Sequence, residues 1–130
     1  MYYYEKDYIM RLIHGISRIL ARLFFDRELE TDGEVISVHG ATARETEDYL
    51  RRLVDEGKIN AAEERLFELL ETSAWERKLL AALALSFYDY VNSKDDAFLA
   101  AADFPRDEII TGLEDALTTV NMEIPEYLRI

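Results

Sequence analysis

The most continuous apolar pattern in the chain runs from Trp75 to Val91, with the sequence WERKLLAALALSFYDYV. After its charged start, the only strongly polar side chains are Ser86 and Asp89, which lie three residues apart and therefore on one narrow face of a helix. A helix that is apolar on nearly every side must be surrounded by protein or by lipid, and this run is too short to cross a bilayer. The pattern therefore predicts a central helix, at about 74–92, that the other helices surround.

The N-terminal part of the chain predicts an amphipathic helix over 7–25, because its apolar residues recur at intervals of three and four. Asp7 is placed to cap this helix. The following segment, 26–41, is polar and contains two glycines, which predicts a connecting loop with one extended piece at Val35–Val38. A lone strand has no pairing partner unless a second copy of the chain supplies one.

Three capping boxes, each a Ser, Thr or Asn followed three residues later by Glu, predict where the next three helices begin. They are Thr42 with Glu45, Asn60 with Glu63, and Ser73 with Glu76. Gly57 is expected to end the first of these helices, and the second is expected to end near Thr72. Ser73 would open the central helix.

The spacing of charged and apolar residues predicts which face of each helix is exposed and which face is buried. In the helix before Gly57, two acid–base pairs at four-residue spacing indicate an exposed face, namely Glu47–Arg51 and Asp48–Arg52. The expected buried residues of this helix are Tyr49, Leu50, Leu53 and Val54. Those of the next helix are Ala62, Leu66, Leu69 and Leu70, and those of the last helix are Ile109, Ile110, Leu113 and Leu117.

The C-terminal part predicts a short helix capped by Ser93 and a last helix that begins with Pro105, which suits the first helical position. Asn121 is predicted to be the left-handed terminator of that helix. The remaining tail, 122–130, carries apolar side chains that favour docking on the body. Together these patterns predict an all-α single domain over 1–130, a bundle of five or six helices around the central apolar helix.

The amino-acid composition limits the classes of partner and the cellular location that we expect for this protein. The 130 residues carry a formal net charge of −12, which opposes binding to nucleic acid or to anionic lipid because both attract cations. The chain has no cysteine, which excludes disulfides, thiolate metal sites and thiol nucleophiles and fits a cytoplasmic location. Basic residues interrupt the apolar positions near the N-terminus, so no signal peptide is expected there. No apolar run is long enough for integral membrane contact.

The stretch Leu50–Leu70, LRRLVDEGKINAAEERLFELL, resembles one tetratricopeptide-type helical hairpin. The likeness is carried by the glycine at the turn, the small residue at the helix contact and the apolar positions around them: Gly57, Ala62, Ile59, Leu66 and Leu69. In that family, tandem hairpins line a groove that binds peptides. A single unit implies the antiparallel hairpin, at about 43–72, without the groove.

Taken as a whole, the chain is similar to a family of small all-helical bacterial proteins of unknown function. The similarity lies in DYIMRLI at 7–13, EGKINAAEERLFELLE at 56–71, LSFYDYVN at 85–92 and DEIITGL at 107–113. It implies an all-helical fold. Because that family has no assigned activity, the resemblance implies no catalytic residues.

The first predicted helix carries a basic stripe opposite its isoleucines, formed by Arg11, His14, Arg18 and Arg22. One interpretation is a solvated face, or a face paired with an acidic stripe of the same chain or of a second copy. The acidic candidates are Glu64, Glu68 and Glu71. Another interpretation is a surface for anions or membranes, as some basic amphipathic helices provide.

Two further groups of residues are candidates for function. Tyr2, Tyr3 and Tyr4 form an aromatic head that suits an interface, or else a frayed terminus. Ser86, Asp89 and Tyr90 could supply the polar groups of a pocket between helices, or be satisfied packing details. The only histidines, His14 and His39, lack a metal-binding motif, so the sequence predicts no metal, no cofactor and no catalytic residue.

The resulting functional hypothesis is a non-enzymatic protein–protein interaction or scaffold module that self-associates. Its expected partner is another protein or a second copy of the chain, with no nucleic acid. One alternative is a small-molecule binder or small enzyme with a pocket between its helices. The other is an accessory protein that binds a membrane surface or an anion through the basic face of its first helix.

Overall fold

The computed structural model describes residues 6–25 and 41–122, and within the first helix it describes the side chains of residues 6–16 and 18. These ranges contain six helices, α1 Lys6–Phe25, α2 Ala41–Asp55, α3 Ile59–Thr72, α4 Arg77–Asn92, α5 Asp96–Ala101 and α6 Asp107–Thr119. They contain no strand, and the predicted all-α bundle is confirmed. The proposed extended piece at Val35–Val38 and the tail residues 123–130 lie outside the described residues.

The central element is α4, as the apolar pattern predicts. It packs against α1, α2, α3 and α6, and ten of its sixteen residues are buried. α4 begins after the bend that contains Trp75. Trp75 itself packs on the core from outside the helix. Burial on several sides explains why α4 shows apolar side chains all round where a surface helix shows one stripe.

One apolar core joins the helices. It contains Ile9 and Ile13 of α1, Leu50 of α2, Leu66 of α3 and Leu99 of α5, together with residues of α4 and α6. Each buried Leu or Ile side chain contributes about 1.5–3 kcal/mol relative to an exposed one, so this core is the main source of stability. The prediction of burial is wrong for one large residue, Tyr49, which is 43% exposed. It precedes the buried Leu50, and adjacent helical residues point about 100° apart.

The turn between α2 and α3 produces an antiparallel hairpin. Gly57 has a φ of +79°, a left-handed conformation that favours glycine. The Gly57 amide donates to the Val54 carbonyl at 2.9 Å, and the Lys58 amide donates to the Leu53 carbonyl at 2.8 Å, which ends α2. The terminator predicted at Gly57 is therefore confirmed, and α2 and α3 pack against each other along the hairpin.

The three predicted capping boxes are wrong in detail. Thr42 lies inside α2, which begins one residue earlier. Asn60 lies inside α3, and its side-chain amide donates instead to the carbonyls of Ala102 and Asp103, at 3.4 and 3.2 Å. The Ser73 hydroxyl accepts the Trp75 amide at 3.1 Å, four residues before α4 begins. A local signature does not reveal that a capping side chain finds a better partner elsewhere.

The starts of the last two helices also differ from prediction. Asp95 caps α5, since its carboxylate accepts the Phe98 amide at 2.8 Å, whereas the Ser93 hydroxyl donates to the Tyr90 carbonyl. Pro105 precedes α6 by two residues, and α6 begins at Asp107. Asn121 follows α6 with a φ of +62°, as expected of a left-handed terminator.

Candidate functional site

The contact between α2 and α4 carries two matching rows of polar side chains. Residues four apart on a helix share one face, and both rows use that spacing. The rows are Glu47, Arg51 and Asp55 on α2, and Ser86, Tyr90 and Lys94 on α4 and just beyond it. We call these six residues the polar ladder. Glu47 bonds to Ser86, and Asp55, which lies further along α2, bonds to Tyr90 and Lys94, which lie further along the second row. The two helices therefore run parallel.

The first half of the polar ladder encloses Ser86, which is 5% exposed. The Ser86 hydroxyl donates to Glu47 Oε2 and accepts from Arg51 Nη2 at 3.1 Å. Arg51 Nη2 also pairs with Glu47 Oε2 at 3.4 Å. The predicted Glu47–Arg51 pair exists, but the exposed face assigned to it is wrong, because the Glu47 side chain is only 17% exposed. The pair faces α4, where it satisfies a buried hydroxyl.

The second half of the polar ladder is more exposed and centres on Asp55. The Tyr90 hydroxyl and Lys94 Nζ both donate to Asp55 Oδ1, each at 2.7 Å. The hydrogen bonds from Lys94 and Tyr90 lower the pKa of the Asp55 carboxyl, and the bond to Asp55 raises the pKa of both Tyr90 and Lys94. Arg51 and Lys94 each lie 4.8 Å from the centre of the Tyr90 ring, so cation–π attraction adds to the contact.

The three polar groups proposed for a pocket all interact with Arg51, which bonds to the Ser86 hydroxyl, lies over the Tyr90 ring and attracts the Asp89 carboxylate. Ser86 and Tyr90 bond to residues of α2, whereas the Asp89 side chain is exposed and makes no hydrogen bond to a described residue. Desolvation by the surrounding protein raises the pKa of Asp89, and the positive charges of His14 and Arg51 oppose that rise. One polar atom in the ladder, Arg51 Nε, is buried without a hydrogen-bond partner. A ligand-binding role for these residues stays a prediction.

A second polar contact lies between α3, α4 and α6. Tyr88 is fully buried, and its hydroxyl donates to Glu63 Oε2 at 2.5 Å. Gly112 of α6 makes room for this pair, because a Cβ at that position would lie 2.5 Å from the Tyr88 hydroxyl and 2.5 Å from Glu63 Oε2. Burial raises the pKa of Glu63, the Tyr88 hydrogen bond opposes this, and the nearby carboxylates of Glu108 and Asp115 add to the rise. Burial also raises the pKa of Tyr88.

Arg106 joins the C-terminal end of α4 to the helices that follow. Its side chain is only 9% exposed. Its guanidinium donates to the Asn92 carbonyl and side chain at 3.1 and 2.8 Å, to the Lys94 carbonyl at 2.8 Å, and to Asp96 at 2.8 and 3.0 Å. The Asn92 amide in turn donates to the Lys6 carbonyl at 3.0 Å. A cation that binds the last carbonyls of α4 also complements the helix dipole, so this contact is structural.

The described part of the basic stripe, Arg11, His14 and Arg18, lies on the outer side of α1, opposite the buried isoleucines of that helix. Arg11 and Arg18 are exposed, and His14 is half-buried. None of these three forms an ion pair with a described residue. The side chain of Arg22 and the aromatic head Tyr2–Tyr4 lie outside the described residues, so their roles stay predictions.

Metal-binding groups, enclosed hydroxyls and membrane-spanning helices can each be assessed within the described residues. Among them, no group of three or more His, Cys, Asp or Glu side chains is placed to hold a metal ion. Two buried residues of the described ranges place a hydroxyl beside a carboxylate, Ser86 beside Glu47 and Tyr88 beside Glu63. Both hydroxyls are enclosed by the fold, whereas a nucleophile must reach its substrate. No helix within 6–25 or 41–122 combines the length and apolar character that a bilayer crossing requires.

Sequence reasoning missed most partners of the residues it selected. The four-residue spacing of Glu47, Arg51 and Asp55 was a usable signal, since it matches that of Ser86, Tyr90 and Lys94. Pairing two such rows requires knowing that α2 lies beside α4. The Tyr88–Glu63 pair and the contacts of Arg106 join residues distant in sequence and leave no local pattern.

The fold and its sites thus define a small all-helical bundle whose described polar clusters stabilise contacts between helices. Residues 3–121 match the Family of unknown function (DUF6483), and the chain belongs to this family. The family resemblance expected from the sequence is therefore confirmed, together with its all-helical fold. No curated protein and no solved structure matches the chain.

Proposed function

We propose that this protein is a non-enzymatic protein–protein interaction module that self-associates. The observation that carries the proposal is the basic face of α1, defined by Arg11, His14 and Arg18. It lies outward, without ion pairs to described residues, in a chain whose net charge is −12. A segregated patch of the minority charge attracts an acidic protein surface, and the chain itself supplies such surfaces in abundance.

The pairing of the other polar side chains supports the proposal. Ser86, Tyr90, Tyr88 and Arg106 all have partners on neighbouring helices. Polar groups that are satisfied inside a fold stabilise and position its helices. On the described surface, the basic face of α1 is the most segregated feature, which favours a binding role for it. The aromatic head Tyr2–Tyr4 belongs to the proposed interface as a source of apolar area.

Light scattering on the purified protein over a range of concentrations tests self-association. The expected result is a mass above that of one chain, rising with concentration and falling with added salt, because exposed charges are screened. A strict monomer at high micromolar concentration in low salt would overturn the proposal. Mixing the protein with anionic lipid vesicles adds a second arm. Co-sedimentation that is lost in R11E/R18E would instead favour a membrane-surface role.

A second candidate function rests on Arg51 Nε, the buried donor of the polar ladder that lacks a partner. A small anion such as a carboxylate could accept from it beside Ser86 and Tyr90. A thermal-shift screen with small carboxylates and phosphates tests this. A rise in melting temperature that is abolished by R51Q but kept in R52Q would support the ligand-binding role, since Arg52 is the neighbouring exposed arginine.

A further inference from the structure

We propose that the acidic surface which binds the basic face of α1 is the outer face of α3 in a second copy of this chain, with the two helices antiparallel. The inference deepens the proposed self-association, on which it rests, by naming the two surfaces. The acidic face of α3 consists of Glu64, Glu68 and Glu71.

The acidic face of α3 is open to a partner. All three glutamates are exposed, on the side of the helix opposite the buried Ala62, Leu66 and Leu70. Glu68 pairs with Arg65 of its own helix, whereas Glu64 and Glu71 form no ion pair with a described residue. Like charges at this spacing on one helix repel each other, so a basic surface laid against them removes a local repulsion.

The basic residues of α1 and the acidic residues of α3 have the same spacing when the two helices are read in opposite chain directions. Along α1, the basic side chains stand at Arg11, His14 and Arg18, with intervals of three and then four residues. Read from the C-terminal end, α3 presents Glu71, Glu68 and Glu64 with the same two intervals. At about 1.5 Å of rise per residue, both rows extend over roughly 10 Å. An antiparallel contact therefore places Arg11 opposite Glu71 and Arg18 opposite Glu64.

The fold prevents these faces from pairing within one copy. α3 packs against α2, α4 and α6, and its buried residues are Ile59, Ala62, Leu66 and Leu70. The N-terminus of α1 is bound to the C-terminal end of α4, through Lys6 with Asn92 and Ser93. The outer face of α3 thus points away from the body, and the basic face of α1 does so at a different position. The partner that brings them together is a second copy.

The contact joins two different surfaces, which is a heterologous interface. After the first contact, each pair of copies still has one free basic face and one free acidic face. Association then continues beyond two copies unless a ring closes. Because the contact consists of exposed charges, which contribute little individually, it is expected to be weak and sensitive to salt.

Charge reversal with complementation tests the proposal by light scattering. R11E/R18E and E64R/E71R should each weaken self-association by about tenfold or more, and an equimolar mixture of the two should restore it. In the mixture, the acidic α1 of one variant meets the basic α3 of the other. R52E/K58E is the matched control, because it makes the same charge change as R11E/R18E at exposed positions of α2 and the following turn. Circular dichroism verifies that each variant is folded, and R11Q/R18Q or E64Q/E71Q replaces the charge reversal at the same positions if that variant is not.

The outcomes separate the two proposals. A monomeric parent protein overturns self-association and this contact together. A parent that associates while either reversal leaves the mass unchanged overturns the α1–α3 contact alone. The same conclusion follows if R52E/K58E weakens association as much as R11E/R18E does, or if mixing restores nothing. Loss in both reversals, recovery in the mixture and an unaffected control support the contact.

Discussion

Two tyrosines of α4 make the same bond in different surroundings. Tyr88 donates to Glu63 at 2.5 Å, and Tyr90 donates to Asp55 at 2.7 Å. The residues are two apart, so they point to nearly opposite sides of α4. Tyr88 is fully buried against α3 and α6, whereas Tyr90 is partly exposed at the α2 contact.

The surroundings give the two carboxylates opposite titration behaviour. Glu63 is partly buried near other acids, and its pKa is raised. Asp55 has Lys94 and Tyr90 as donors, and its pKa is lowered. The same hydrogen bond thus accompanies an acid that resists ionisation on one side of α4 and an acid that ionises readily on the other. A hydrogen bond from a tyrosine therefore does not by itself set the pKa of a carboxylate, because desolvation and nearby charges act on it as well.

The largest effect is expected at Gly112, which keeps space for the buried pair. In G112A, the new Cβ would lie 2.5 Å from the Tyr88 hydroxyl, forcing it and Glu63 to move. Crowding of this kind exceeds the helix-propensity gain of about 1 kcal/mol, so we expect a net loss of about 2 kcal/mol. Urea unfolding measures it. In the double mutant G112A/Y88F, the missing hydroxyl should return part of that loss, and full additivity would show that the crowding lies elsewhere.

Removing the buried hydroxyl is expected to have the next largest effect. Y88F leaves the partly buried Glu63 carboxylate without its donor, and an acceptor deprived of its partner costs about 1–2 kcal/mol. Denaturant unfolding at neutral pH measures the change. An effect no larger than that of Y90F would mean that burial does not distinguish the two bonds.

The pH dependence of the two acids should have opposite signs. Because the Glu63 pKa is raised on folding, its ionisation costs stability as the pH rises from the ordinary glutamate value through the raised value. Because the Asp55 pKa is lowered, its contribution is present above the ordinary aspartate value and is lost as the pH falls through the lowered value.

Replacing each carboxylate with its isosteric amide tests this difference in pH dependence. Relative to the parent, the melting temperature of E63Q should rise between acidic and neutral pH, while that of D55N should fall over the same interval. Thermal unfolding at several pH values provides the measurement. Parallel curves for the two variants would show that their carboxylates have similar surroundings.

The smallest effect is expected at Tyr90. In Y90F, the exposed Asp55 keeps Lys94 as a partner and gains water, so the loss should stay below about 1 kcal/mol. The ring remains available to Arg51 and Lys94. The same unfolding assay as for Y88F makes the two variants directly comparable. A loss equal to that of Y88F would show that the polar ladder acts as one cooperative network.

Local patterns predicted the helices well and their first residues poorly. The apolar spacing of α3 and α6 identified Leu66 and Leu113 as buried, and the left-handed positions at Gly57 and Asn121 were identified correctly. Asn60 was placed at a helix start by its sequence context, but its side chain bonds to carbonyls more than forty residues away. A capping signature competes with such contacts, and only the assembled fold decides between them.

The sequence by itself determined that α4 is the centre, because a helix without a polar face can exist in water only when other helices cover it. It also determined the basic stripe of α1, since helical spacing fixes which residues share a face. Only the tertiary structure decided that Glu47 and Arg51 face Ser86, that Tyr88 reaches Glu63 and that Gly112 makes room for both. Those contacts depend on how whole helices lie beside one another, and spacing along one helix does not specify which helix packs against it or in what register.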